Sequence, residues 1–395
     1  MIALLIFFGT YLVLAVGRLP YFRVDRTGAA IIGASLMIGC NVLTFEEAYR
    51  AIDYDTLILL FGMMIVVANL RLSGFFTLVS AWVVEHAHQP LALLTSIVFV
   101  AGVFSAFFVN DTMCLVLTPL VLEITSRLRR NPVPYLLAVA MGANIGSVAT
   151  ITGNPQNMMI GSFSGLHYRA FAAALAPVAL AGLAAAVAVI AVVYRREFRT
   201  HQRVDLVHRP VRVNRVLLWK SIVASGAMVV LFFIGWPVPK VALVAGALLL
   251  VTRRVKPEKV YLHIDWQLLV LFVGLFVVVA GVEKLLSPQL VASLHLERTS
   301  VLSATAAALS NLVSNVPAVL LFKPFIGHLP DPTRGWLALA MSSTLAGNLT
   351  VLGSVANLIV VQRARQEVEI GFWEYFRAGA PLTVLTIAIG VWWLG

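Results

Sequence analysis

Apolar stretches separated by short polar segments run along almost the whole chain. Crossing a membrane as a helix takes about 20 consecutive, mainly apolar residues. By that measure the pattern predicts membrane helices at 2–17, 27–43, 56–84, 170–194, 216–235, 238–252, 266–286 and 372–394. The predicted fold class is therefore an all-α polytopic membrane protein.

Two other patterns interrupt the apolar sequence, and each occurs once per half. Short apolar arms come in pairs, at 90–108 with 112–126 and at 299–313 with 316–326. Glycines and asparagines break the apolar segments 134–163 and 335–361. Backbone groups freed by such breaks cannot face lipid, so they line a site or are buried in protein. The arms predict re-entrant hairpins, and the interrupted segments predict broken helices.

The broken-helix pattern is an internal repeat. Residues Ala138–Asn157 recur as Ala338–Asn357 at a constant offset of 200 residues, without a gap. Further blocks recur in the same order, Ile52–Ala68 as Ile264–Ala280 and Ser105–Pro119 as Ser310–Pro324. Paired interruptions in the two halves of a membrane protein indicate a transporter's binding site. We therefore predict two repeats of one fold, with the site between them.

The placement of the basic residues predicts how the repeats are oriented. If each pair of arms enters and leaves the membrane on the same side, each half has five full spans. Because five is an odd number, the second half then has the opposite orientation in the membrane. With both termini outside, 22 of the 29 basic residues fall in cytoplasmic segments, as the positive-inside rule requires. The prediction is repeats at 1–194 and 216–395, joined by a basic cytoplasmic linker at 195–215, in the inner (plasma) membrane.

Composition supports a membrane protein and excludes several functions. Hydrophobic residues make up 60% of the 395 positions and charged residues 12%, with a mean hydropathy of +0.92, whereas soluble domains carry about 25% charged residues. The net charge of +11 lies in loops between apolar spans, so it does not indicate nucleic acid. No phosphate-binding loop, nucleotide fingerprint or catalytic triad is present. We expect a transporter driven by ion gradients, with no enzymatic activity and no cofactor.

Two hairpin tips and two helix breaks are predicted to meet and form the substrate site. Helix N-termini direct N–H groups and a positive dipole end at bound anions, whereas Asn, Ser and Thr oxygens suit Na⁺. Packing between helices is the alternative interpretation of such residues. The predicted binding residues are Asn110, Asp111, Thr112, Asn144, Ser147, Thr150, Gly153, Asn154, Asn157, Ser314, Asn315, Thr344, Asn348, Thr350, Gly353, Ser354 and Asn357. A Na⁺ site is predicted at Asn110, Asn154 and Asn315 if Na⁺ is the coupling ion.

Asp111 is the one acidic residue deep in an apolar segment. A carboxylate there costs at least about 2.5–3.5 kcal/mol, so it is a functional candidate by default. We predict that Asp111 couples transport to H⁺ or another cation. The alternative is that it caps the second hairpin arm. Its repeat partner is Val316, so the two tips are not chemically equivalent.

These motifs resemble those of the ion transporter superfamily. Asn110-Asp111 is similar to the tip of arsenical pump membrane proteins and stands where dicarboxylate/sodium symporters carry Ser-Asn-Thr. Gly153–Asn157 and Leu312–Pro317 resemble motifs of bacterial anion permeases and plant silicon efflux transporters, in the citrate-transporter-like branch. The resemblance implies a homodimer with elevator-type alternating access. It also implies scaffold helices, here at 1–50 and 216–255, and moving transport elements, here at 51–194 and 256–395.

The leading hypothesis is a proton-coupled secondary transporter of small inorganic oxyanions or oxyacids, with arsenite or silicate as the substrate. A Na⁺/H⁺ antiporter and a sodium-coupled di- or tricarboxylate symporter are the alternatives. No second deep acid supports the antiporter, and no deep Arg or Lys supports the symporter. A non-transporting receptor has no need of two interrupted helices. The expected partners are a small anion, membrane lipid and a second copy of the chain.

Overall fold

Helices and the turns between them make up the described part of the chain, which contains no β-strand. The computed structural model describes residues 1–16, 24–86, 89–199, 213–283 and 295–395. The helices of the first half are α1 (Ile2–Val16), α2 (Arg26–Gly39), α3 (Phe45–Ala51), α4 (Tyr54–Ser73), α5 (Phe75–His86), α6 (Pro90–Phe107), α7 (Asn110–Arg127), α8 (Pro132–Ser147), α9 (Pro155–Ser164), α10 (Tyr168–Val193) and α11 (Arg195–Phe198). Those of the second half are α12 (Arg215–Ile234), α13 (Val238–Leu250), α14 (Pro257–Tyr261), α15 (Trp266–Glu283), α16 (Thr299–Val313), α17 (Asn315–Ile326), α18 (Pro332–Ala346), α19 (Val355–Ala364) and α20 (Phe372–Leu394).

The predicted all-α membrane architecture is confirmed. Six of the described helices are long and apolar enough to cross a membrane, namely α4, α6, α10, α12, α15 and α20. One predicted element is wrong, because the single helix expected at 56–84 is two helices, α4 and α5. Gly74 lies between them with a φ of 86°. Glycine adopts this left-handed conformation without a steric penalty, so α4 ends there.

The first pair of arms forms a hairpin against the broken helix. A Cβ on Gly142 would lie 2.9 Å from the Val98 carbonyl oxygen, and one on Gly146 would lie 2.1 Å from that of Gly102. Moving four residues along α8, from Gly142 to Gly146, moves the contact four residues forward along α6, so the two helices run parallel. The order reverses in α7, where Asn110 contacts Asn144 and Cys114 contacts the Val139 carbonyl. The α6–α7 tip therefore lies level with the break at the end of α8.

The second pair of arms repeats this arrangement against α18. The Ser310 hydroxyl donates to the Ser343 carbonyl over 2.9 Å, and the Asn311 amide donates to the Ala346 carbonyl over 2.9 Å. Helices α16 and α18 are thus parallel, as α6 and α8 are. The return arm α17 ends beside the start of α18, where a Cβ on Gly335 would lie 3.2 Å from the Ile326 side chain.

The final long helices of the two halves pack against each other in opposite directions. The Trp393 indole, near the end of α20, donates to the Ala174 carbonyl, near the start of α10, over 2.9 Å. At the other end, the Tyr194 hydroxyl donates to the Glu374 carboxylate over 2.6 Å. This antiparallel packing supports the inversion of the second half, which stays a prediction together with the domain boundaries.

Basic residues from both halves meet at one end of the helices. Arg71, at the end of α4, interacts electrostatically with Arg363 in the last turn of α19 and with His263 just before α15. Burial first, and then the charge of Arg71, lowers the pKa of His263 below its ordinary value of 6.5. The sequence analysis assigns these segments to one side of the membrane. Residues 17–23 and 200–212, which hold other charges of that set, lie outside the described residues.

Candidate substrate site between two hairpin tips and two helix breaks

Each broken helix has the same local structure. Helix α8 ends at Ser147, a short 3₁₀ turn follows at Ile151–Gly153, and α9 begins after Asn154. The Asn154 side chain caps α9 by accepting from the Asn157 N–H over 2.8 Å. In the second half, a 3₁₀ turn at Val351–Gly353 precedes α19, which Ser354 caps. Asx and hydroxyl caps stop one helix and start the next, and this explains why the polar residues recur.

One asparagine in each half fastens its break with equivalent hydrogen bonds. The Asn157 amide donates to the carbonyls of Ser147 and Thr150, both over 3.0 Å. The Asn357 amide donates to the carbonyls of Gly347 and Thr350 over 2.6 and 2.9 Å. Backbone carbonyls that lose their helical partners at the break are satisfied in this way. The predicted repeat partners therefore have the same structural task.

Asn144 joins the two breaks through four hydrogen bonds of its side chain. Its side-chain oxygen accepts from the Asn110 amide over 3.0 Å and from the Ser354 hydroxyl over 3.2 Å. Its amide donates to the side-chain oxygens of Asn348 over 3.0 Å and Asn357 over 2.9 Å. Asn144 is fully buried. The first tip and the second break are thus held to the first break by one side chain.

Both hairpin tips turn through residues that are strained. Val109 has a φ of 51° and Ser314 a φ of 79°, a region that non-glycine residues rarely occupy. Such strain persists where the surroundings enforce it, often at ligand sites. Helix α7 starts at Asn110, directly after Val109. The cap interpretation of Asp111 is therefore wrong, because Asp111 lies inside the first turn of α7.

The second tip contacts the first break. The Asn315 amide donates to the carbonyls of Ser343 and Gly353, each over 3.2 Å, and its oxygen accepts from Gln156 over 3.2 Å. The Gln156 amide also reaches the Thr344 hydroxyl over 3.1 Å. The predicted convergence of both tips and both breaks is what the structure shows. Gly153 permits the tight turn, since a Cβ there would lie 2.0 Å from the Ser147 carbonyl oxygen.

A cavity of about 80 Å³ lies where these elements meet. This is room for a few water molecules or one small solute. Five predicted residues line the cavity, namely Asn110, Asp111, Ser314, Asn315 and Ser354. Eleven others form the hydrogen-bonded layer and turns behind it: Asn144, Ser147, Thr150, Gly153, Asn154, Asn157, Thr344, Asn348, Thr350, Gly353 and Asn357. Thr112 is half-buried and is not among the described lining residues.

Four helices of the hairpins and broken helices begin at the cavity wall. Asn110 opens α7, Asn315 opens α17, Pro155 opens α9 and Val355 opens α19, and all four residues line the cavity. The first turn of a helix has free N–H groups and carries roughly half a positive charge. Four such ends at one small cavity favour a negatively charged or oxygen-rich solute.

The sequence analysis missed two polar lining residues, Arg26 and Gln156. It placed Arg26 among the cytoplasmic basic residues, which stays a prediction, and it found no deep Arg or Lys for the site. The second expectation is wrong, because Arg26, the first residue of α2, lines the cavity. The signal that could have found it is Asp25, whose carboxylate accepts from the Gly28 N–H over 2.8 Å and marks the helix start.

The predicted Na⁺ residues differ in what their oxygens contact. The Asn154 oxygen accepts from the Asn157 N–H, and the Asn315 oxygen accepts from Gln156. Within the described residues, the Asn110 oxygen is buried with no hydrogen-bond partner. In the same part of the chain, no three His, Cys, Asp or Glu residues are grouped as metal ligands. A Na⁺ site at all three asparagines stays a prediction.

Paired hairpins and broken helices around a polar cavity define a membrane transport protein. The profile of the citrate transporter family, CitMHS, matches residues 5–346. The chain belongs to this family, and the resemblance found in the sequence is confirmed. This is a family of transporters and not of enzymes.

Three curated relatives cover almost the whole chain. The silicon efflux transporter LSI3 of Oryza sativa subsp. japonica is 30% identical over 97% of this chain and 95% of its own length. A 46 kDa membrane protein of Mycobacterium leprae is 30% identical over 98% of this chain and 96% of its own. A transporter designated arsB of Dictyostelium discoideum is 25% identical over 94% of this chain and 87% of its own.

A solved structure has the same fold. The crystal structure of the Alcanivorax borkumensis YdaH transporter superposes with a TM-score of 0.64 over 100% of this chain and 96% of that chain. The two sequences are 14% identical, so the likeness concerns the fold alone.

Proposed function

We propose that the protein is a proton-coupled secondary transporter of small inorganic oxyanions or oxyacids of the arsenite or silicate type. The four helix N-termini at one cavity carry this proposal, because they favour an oxygen-rich anionic solute. The cavity volume of about 80 Å³ matches a solute with one central atom and its oxygens better than a tricarboxylate. The names of two relatives, a silicon efflux transporter and an arsB transporter, support the same substrate class.

Asp111 is the proposed coupling residue. Its half-buried side chain lines the cavity and has no hydrogen bond within the described residues. Arg26 on α2 lines the same cavity, and Asp265 before α15 interacts with Asp111 electrostatically. A carboxylate that shares a cavity with a cation and interacts with a second acid can take up and release a proton as the solute binds and leaves.

Elevator-type movement and a homodimer complete the proposal. The cavity is bordered by α1 and α2 of the proposed scaffold and by the tips and breaks of the proposed transport elements. A site at the boundary between a fixed and a moving part can open first to one side and then to the other.

A carboxylate transporter is the second candidate, and two observations favour it. The family description names citrate, and Arg26 supplies the cation that the sequence analysis did not find. A Na⁺/H⁺ antiporter also keeps some support, since Asp265 lies close enough to Asp111 to interact with it.

Reconstitution in liposomes separates these candidates. Arsenite, silicate, sulfate, succinate, citrate and Na⁺ alone would each be applied at two pH values, with internal pH and solute flux recorded. We expect flux of arsenite or silicate that depends on pH and not on Na⁺. Flux of citrate or succinate alone would replace the oxyanion by a carboxylate. Proton movement evoked by Na⁺ without an anion would contradict both.

The Asp111→Asn variant tests the coupling. For one coupled proton, each unit of pH gradient sustains an accumulation ratio of about tenfold. We expect D111N to lose this accumulation while it keeps downhill exchange of the same solute. The control is E123Q, because Glu123 lies on the same helix in an exposed ion pair with Arg127. Wild-type accumulation in D111N would show that another group carries the proton.

A further inference from the structure

Among the basic residues that the structure describes, Arg26 is the one that lines the candidate substrate cavity. It is the first residue of α2, it is half-buried, and it lines the cavity that Asn110, Asp111 and Asn315 also line. Within the described ranges its guanidinium makes no hydrogen bond and no ion pair. By contrast, Arg50 is 74% exposed and is paired with Glu46 over 2.5 Å.

The acids near Arg26 have other tasks. The Asp25 carboxylate caps α2 by accepting from Gly28, and Asp265 caps α15 by accepting from the Leu268 N–H over 2.9 Å. Asp111 faces the cavity from α7, on the transport side, whereas Arg26 faces it from α2, on the scaffold side. A partly desolvated guanidinium that lacks an internal partner leaves its donors free for a solute in the cavity.

We infer that Arg26 is the residue that donates hydrogen bonds to the oxygens of the transported solute, whether the solute is an oxyanion or its neutral oxyacid. The planar guanidinium offers two parallel N–H donors to an oxyanion, a geometry that an ammonium group lacks. The four helix N-termini then contact the remaining oxygens of the solute. Because Arg26 belongs to the scaffold, it contacts the solute only while the tips face it. Arg26 is thus a specificity-determining residue for small oxyanions, an inference that rests on the proposed function.

The affinity of the carrier for arsenite and silicate tests this role. We expect Arg26→Gln to raise KM about 10- to 100-fold, the effect of losing one charge-assisted hydrogen bond. Arg26→Lys keeps the charge but lacks the two parallel N–H donors. Its KM should therefore lie between those of R26Q and the wild type. The control R50Q, which removes an exposed arginine, should keep the wild-type KM. A wild-type KM in R26Q would overturn the inference.

Chemical restoration of the charge keeps the test valid if R26Q folds poorly. The R26C variant would be made with Cys40→Ser, because Cys40 is exposed and Cys114 is buried. Modification with 2-aminoethyl methanethiosulfonate adds a positive charge, and we expect it to lower KM again. The 2-sulfonatoethyl reagent adds a negative charge and should leave KM high. Equal effects of both reagents, or no modification by either, would contradict the placement of Arg26 in the cavity.

The two proposals fail in different ways. If the wild type moves neither arsenite nor silicate, the proposed function is wrong, whatever Arg26 does. If the wild type moves one of them and R26Q does so with an unchanged KM, only the role of Arg26 is wrong. Protection of the R26C variant from the cationic reagent by silicate, which does not bond to thiols, gives a binding readout that needs no transport.

Discussion

At the scale of single residues, the site depends on amide side chains that satisfy each other. Asn144 accepts two hydrogen bonds and donates two, and its four partners are Asn110 at the first tip and Asn348, Ser354 and Asn357 at the second break. A buried polar group that loses its partner costs about 1–3 kcal/mol. Because several such groups share one side chain, Asn144 has more influence on stability than any asparagine with a single bond.

The Asn144→Ala variant tests this dependence. We expect the free energy of unfolding in detergent to fall by about 2–4 kcal/mol and flux to be lost, since Asn348, Asn357 and Asn110 lose their shared partner. Thr305→Ala is the control, because this exposed hydroxyl contacts only the Val301 carbonyl of its own helix. Wild-type stability in N144A would show that water replaces all four bonds.

The sequence revealed these asparagines and not Arg26, for a physical reason. Asn144 and Asn357 interrupt apolar segments, so their polarity contrasts with every neighbour. Arg26 stands between a polar segment and an apolar run, where an arginine is ordinary. Only tertiary packing, which brings the start of α2 to the hairpin tips, distinguishes it from a loop arginine. The sequence analysis also missed Gln156, because its repeat partner is Ala356 and not a second amide.

At the scale of elements, small residues allow the hairpins and broken helices to pack backbone to backbone. A Cβ on Gly146 would lie 2.1 Å from the Gly102 carbonyl oxygen and 2.3 Å from its Cα. Real Cβ atoms do not approach backbone so closely, so α6 and α8 depend on glycine at this crossing. This close approach holds the first tip level with the first break.

Gly146→Ala should therefore separate α6 from α8. We expect a loss of about 1–3 kcal/mol in stability from overpacking, together with loss of flux because the tip moves away from Asn144. Gly226→Ala is the matched control, since a Cβ there meets nothing within 4 Å. That variant should be unchanged or about 0.5–1 kcal/mol more stable, as alanine suits a helix interior better than glycine. Equal unfolding temperatures for the two variants would contradict the packing argument.

The hairpins could be predicted from sequence, whereas the break at Gly74 was missed. The Asn110-Asp111 pair and the balance of basic residues both indicated a chain that turns back within the membrane. Around Gly74 the polar residues Arg71, Ser73 and Thr77 do not interrupt the apolar run for long enough to divide it by length. A glycine after a basic residue in the preceding turn is a helix-end signal, but the continuing apolar run favoured one long span.

At the scale of the whole molecule, the question is which parts move together. The proposed scaffold touches the transport elements at few polar contacts among the described residues. One is the Tyr11 hydroxyl on α1, which donates to the Pro317 carbonyl at the second tip over 3.1 Å. Within the transport elements, Trp393 on α20 donates to the Ala174 carbonyl on α10 over 2.9 Å. Elevator movement has to break the first contact and keep the second.

Cross-linking the two contacts distinguishes movement between parts from movement within them. In a Cys40→Ser background, a short cleavable thiol cross-linker applied to Y11C/P317C should abolish flux, and cleavage should restore it. The same treatment of A174C/W393C should leave flux unchanged, because both positions travel with the transport elements. Single variants treated alike control for modification without cross-linking. Full flux through cross-linked Y11C/P317C would mean that α1 and the second tip move as one body, and a mechanism confined to local opening of the tips would replace the elevator.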